Sequence, residues 1–88
     1  MANADKVLDV IIRGTSDANI PFIGLCNLLL RLGFHKRVKG DHHIFWKEAV
    51  AEILNLQPEG SKAKAYQVKQ VRGVLVKYKL GARPDAEV

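Results

Sequence analysis

The sequence predicts an α+β domain in which helices cover one face of a three-stranded antiparallel sheet. Three observations predict it. Leu25, Leu28, Leu29 and Leu32 recur at i, i+3, i+4 and i+7, the spacing that gives a helix a single apolar stripe. "FHKRVK" and "HHIFWKE" flank Gly40-Asp41, and a third β-rich run, "VAEILNLQ", stops at Pro58. Val68, Val71, Val74, Leu75 and Tyr78 then restore a helical period before Gly81 and Pro84.

Taken in order, Val7, Leu8, Val10, Ile11 and Ile12 give the segment from Asn3 to Arg13 one broad apolar helical face, with Gly14 as its stop. "TSDANIP" carries turn formers. Pro21 is placed to open the second helix, because its missing N–H would lack a partner there in any case. That helix runs to Leu32, and Gly33 supplies the left-handed residue that closes it. Gly40-Asp41 is a two-residue hairpin link whose reversed order leaves the turn type open. Pro58-Glu59-Gly60-Ser61 cannot continue a ladder, and "SKAKAY" reads as a polar loop into a last helix from Gln67 to Leu80.

A chain of 88 residues makes one domain, 1–88, because a chain of this size buries only roughly 60% of its unfolded surface and cannot divide its core. The reading divides it into an N-terminal helical extension, 1–20, a core, 21–81, and a frayed tail, 82–88. Apolar residues at 48% and charged residues at 26% are ordinary globular usage and argue against wholesale disorder. The one cysteine, Cys26, lies in a leucine-rich segment, which suits a buried thiol in a reducing compartment. No basic and apolar leader opens the chain and no segment approaches the ~20 apolar residues of a membrane span, so a cytoplasmic protein without membrane contact is expected.

Fourteen Lys and Arg against nine Asp and Glu give a formal charge of +5, which ranks polyanions high among partners. The excess gathers late: Lys62, Lys64, Lys69, Arg72, Lys77, Lys79 and Arg83 occur with no acid between them. A helix surface can be lysine-rich for solubility alone. Even so, Lys69, Arg72 and Lys79 fall within a quarter turn of one another on an ideal helix, and Lys62 and Lys64 precede its N-terminus, where free N–H groups favour phosphate.

His42 and His43 are the candidate chemical groups. In a strand they point to opposite faces, so they cannot readily ligate one metal, and no Cys or carboxylate lies at a standard zinc spacing. Neither a metal nor a cofactor is expected. One imidazole should face the helices and the other solvent. An imidazole beside the basic run His35-Lys36-Arg37-Lys39 suits proton transfer at a ribose hydroxyl or a leaving oxygen. Phe45 and Trp46 could stack on bases, or fill the core of a small sheet.

"LLLRLGFHKRVKGDHHIFWK" followed by "ILNLQPEGSKAKAYQVKQVRGVLVKY" resembles the HicA toxin family of bacterial type II toxin-antitoxin systems, over about Phe22 to Leu80. The specific part is the Gly-x-His-His strand start together with "LGF" before it and the "NLQPEGSKAKAYQVKQVR" segment after it. The resemblance implies a double-stranded-RNA-binding-domain-like helix-strand-strand-strand-helix fold, preceded here by an extra helix. It also implies a small ribonuclease that cleaves mRNA, blocks translation and is neutralised by a HicB-type antitoxin. The family's catalytic histidine falls on His42 rather than His43, and its motif glycine on Gly40. RNA contacts are then expected from Lys36, Arg37, Lys39, Gly40, Lys62, Lys64, Lys69 and Arg72. Where the family usually has Gly-Ser-His this chain has Asp41, a charge that can hold a protonated imidazole or repel phosphate. The residues alone leave a second reading open, an RNA-binding module without chemistry, and a third, a degenerate toxin that only docks on its antitoxin.

Overall fold

A computed structural model describes residues 2–81. The first helix, α1 (Ala2–Arg13), ends at Gly14, whose φ of +72° is the left-handed conformation a glycine adopts without strain. A short 3-10 turn, Asp17–Asn19, leads to α2 (Phe22–Arg31), with Pro21 as its N-cap. The C-terminal end of α2 is a Schellman arrangement: Phe34 N–H donates to the Leu29 carbonyl and Gly33 N–H to that of Leu30, with Gly33 at φ +95°.

Strands β1 (His35–Lys39), β2 (His42–Lys47) and β3 (Val50–Leu56) form an antiparallel sheet in the order β1-β2-β3. Gly40 takes φ +61° at the first position of the β1–β2 link while Asp41 keeps a negative φ, the pattern of a type II′ turn. In the β2–β3 link the strained position falls on Ala49, at φ +70°, and the pairing register shifts between Phe45 and Lys47. The last helix, α3, spans Ala65–Lys77.

Two expectations are corrected here. "PEGSKA" is not a plain loop: β4 (Pro58–Glu59) and β5 (Lys62–Ala63) pair as a small hairpin around Gly60-Ser61. Backbone bonds from outside the hairpin hold it, Phe22 N–H to the Ser61 carbonyl and Ala63 N–H to that of Ile20. The last helix also starts and stops earlier than its apolar period suggests. Lys79, at φ +56°, is the left-handed residue that closes it, with Leu80 N–H donating to the Leu75 carbonyl, and Gly81 comes two residues later.

All three helices lie on one face of the sheet. Leu8 and Ile11 of α1, Leu25, Leu28 and Leu29 of α2, and Val68, Val71 and Leu75 of α3 join Phe45, Leu54 and Leu56 of the sheet in one buried cluster. Phe45 is fully buried, which assigns its ring to the core and contributes roughly 1.5–3 kcal/mol through burial. Leu8 and Ile11 make α1 part of this core. Arg72 tightens the join: its guanidinium donates to both carboxylate oxygens of Asp17, at 2.9 and 3.2 Å, and to the Ile11 carbonyl at 3.1 Å. The order α2-β1-β2-β3-α3 is compatible with the double-stranded-RNA-binding-domain-like arrangement, with α1 packed in front of it. The tail expected to fray, 82–88, lies outside the described residues.

Candidate functional site

Strand alternation and register decide which residues can act together. Across β1 and β2, Lys39 pairs with His42, Arg37 with Ile44 and His35 with Trp46; across β2 and β3, Ile44 pairs with Asn55. Directly opposed residues share a face, so His35, Arg37, Lys39, His42, Ile44, Trp46, Ile53 and Asn55 form the outer surface, away from the helices. Lys36, Val38, His43, Phe45, Leu54 and Leu56 point the other way.

The two histidines therefore have different physical lives. His43 packs its ring edge-on against Phe22, with centroids 4.9 Å apart, and its Nδ1 is buried without a hydrogen-bond partner among the described residues. Burial, and then the positive charge of Lys36, push its pKa below the ordinary imidazole value, against an opposing pull from Asp41. The wall between sheet and helix thus favours the neutral form of His43.

His42 is exposed, and its Nδ1 lies 3.0 Å from Asn55 Oδ1. With the amide oxygen accepting, Nδ1 carries the hydrogen and Nε2 keeps its lone pair free for a proton from a ligand. Asn55 is fixed in turn from the other side of its strand. Gln67, buried at the start of α3, donates from Nε2 to the Asn55 carbonyl at 3.2 Å and accepts the Gln57 N–H at 3.0 Å. A chain of contacts thus runs from α3 through β3 to an imidazole on the opposite face. Sequence reasoning misses both Asn55 and Gln67; the available signal is the polar Asn55 inside the apolar run "ILNL", and Gln67, in the mixed stretch "YQVKQV", carries none.

The expected RNA-contacting residues separate into four groups. Arg37 and Lys39 share the outer surface with His42, and Gly40 turns the hairpin beside it, with open space around its Cα. Lys36 lies on the inner side of β1, its Nζ 5.8 Å from the Phe45 ring centroid. Lys62 sits on β5, and Lys64, the N-cap of α3, donates from Nζ to Gln57 Oε1 at 3.2 Å. Lys69 and Arg72 both act on Asp17, whose carboxyl they hold below the ordinary carboxylate range, the hydrogen-bonded Arg72 most strongly. The expected basic stripe on the last helix is therefore not a single surface. Arg72 is engaged with α1 and its linker, Lys79 lies past the helix end, and the structure does not bring them together with His42.

No family model, curated protein or solved structure matches the chain. The functional content of the HicA resemblance thus rests on the motif residues and the geometry around them. Among the described residues, no helix is long and apolar enough to cross a membrane. An apolar groove of about 530 Å³ between α1 and α2, lined by Val7, Val10, Pro21 and Ile23, has neither histidine in its wall.

Proposed function

We propose that the chain is the toxin of a type II toxin-antitoxin pair, a HicA-like endoribonuclease acting on mRNA in the cytoplasm, with His42 as its general base. The observation that carries this reading is the His42–Asn55 pair. It is an exposed imidazole with one nitrogen against an orienting amide at 3.0 Å and the other without a partner among the described residues, on a face bearing Arg37 and Lys39.

The chemistry draws its nucleophile from the substrate, so it calls for no activated Ser or Cys and no metal. Nε2 of His42 takes the proton of a ribose 2′-hydroxyl as that oxygen attacks the adjacent phosphorus. The bond from phosphorus to the 5′ oxygen breaks, and that oxygen leaves as a hydroxyl by taking a proton from solvent. The products are a 2′,3′-cyclic phosphate and a 5′-hydroxyl end. Arg37 and Lys39 steady the phosphate as negative charge builds on its oxygens. Asn55 is a positioning residue: it keeps the hydrogen on Nδ1 and so keeps Nε2 basic.

End-group analysis of the RNA fragments tests the chemistry. Cyclic phosphate and 5′-hydroxyl ends support it; 5′-phosphate ends would require an attacking water and another base. The binding-module reading is favoured by one observation, the exposed Trp46 ring stacked on His35 at 5.5 Å, and predicts salt-sensitive binding with RNA left intact.

A further inference from the structure

Among the described residues no helix covers the outer face of the sheet, yet it is not a plain solvated surface. Trp46 keeps 38% of its area exposed and Ile53 keeps 64%. The Trp46 indole lies on the His35 imidazole with centroids 5.5 Å apart and planes 29° from parallel, and Glu48 holds the far side of that imidazole through Nε2 at 2.8 Å. Ile44 stands between Trp46 and His42 on the same face of β2, and Arg37 and Lys39 border it along β1. Flat rings and a branched apolar surface, edged by cations, are what a nucleobase and its phosphate require together.

We propose that this face is a stacking platform for single-stranded RNA, with Trp46 bearing a base while His42 meets the backbone a few nucleotides away. The proposal rests on the reading of the protein as one that acts on RNA, and it names the form of RNA and the place it lies. Trp46 and His42 are four residues apart on β2, about 13 Å at roughly 3.3 Å per residue.

A duplex does not suit this surface. Its bases are paired and stacked on one another, and double-stranded RNA is read by shape through phosphates and 2′-hydroxyls, which leaves an exposed indole with nothing to stack on. An acidic protein would satisfy Arg37 and Lys39 but makes no particular use of stacked rings, so the rings and the cations together select a single strand.

Trp46 is the one tryptophan in the chain, so its fluorescence reports the proposed contact directly. The probe is a 2′-O-methyl oligouridine decamer, which lacks the 2′-hydroxyl nucleophile and stays intact, titrated against its duplex with the complementary strand. Quenching by the single strand with little response to the duplex is expected. Anisotropy of a labelled decamer should show Trp46→Ala weakening binding by roughly tenfold or more, with Trp46→Phe retaining most of it. Equal quenching by the duplex would overturn the proposal, as would Trp46→Ala binding as tightly as the parent. Quenching by the decamer with natural RNA left uncut would keep the platform and remove the nuclease. RNA cut at the parent rate by a folded Trp46→Ala protein would do the reverse.

Discussion

His42 and Asn55 meet across the β2–β3 pair, imidazole Nδ1 to amide Oδ1 at 3.0 Å, while Gln67 holds the Asn55 carbonyl from the other face. If this contact keeps Nε2 basic, Asn55→Ala leaves the base present but unoriented. Cleavage should then fall by about 10–100-fold, the usual cost of losing an orienting partner. Because Asn55 is exposed, stability should change by no more than about 0.5 kcal/mol. An unchanged rate in the folded variant would remove Asn55 from the mechanism.

His43 should control the pH dependence of stability rather than chemistry. Its folded pKa is lowered, so at a pH between that value and the ordinary imidazole value of about 6.5 the unfolded chain binds the extra proton. Stability is accordingly full above the ordinary value and declines as pH falls through the window below it. His43→Leu, close in volume and without the unpartnered nitrogen, should sit within about 1.5 kcal/mol of the parent at pH 7.5 and lose less on acidification. Denaturant unfolding at pH 7.5 and 5.5 measures both.

The Asp17–Arg72 pair acts in the same sense but in a more acidic window. Hydrogen bonding to Arg72 lowers the Asp17 pKa, so its contribution is present above the ordinary carboxylate value of about 4 and is lost as pH falls through the lowered one. Asp17→Asn should lower Tm at pH 7, and the gap from the parent should close in strong acid. A Tm difference independent of pH would mean that the two side chains are not coupled.

Lys79 holds a left-handed φ of +56° at the end of α3. Lys79→Gly should relieve that strain and, after the added flexibility of the unfolded chain, stabilise by up to about 1 kcal/mol. Thermal melts of the two proteins decide it.

The elements were legible where the signal is local. The leucine stripe of α2, Gly33 and the Gly40-Asp41 link each carry their own physical reason, and the structure places all of them in those roles. The β4–β5 hairpin was not legible, because two residues per strand have no period to read and bonds to Ile20 and Phe22 hold it. At the site, alternation was enough to send His42 and His43 to opposite faces. The partner of His42 was hidden because the β2–β3 register depends on Ala49 at positive φ and on an irregularity between Phe45 and Lys47. Arg72 looked like an RNA contact because a helical projection shows direction but not the carboxylate of a distant loop waiting there.

His42, and not His43, is proposed to carry out proton transfer on RNA. The most direct test is incubation of a long unstructured RNA with the parent, His42→Ala and His43→Leu in EDTA, each protein shown by circular dichroism to be folded. Cleavage by the parent and His43→Leu but not by His42→Ala is the result the structure predicts. Cleavage that survives in His42→Ala, or RNA intact in every lane, would contradict it.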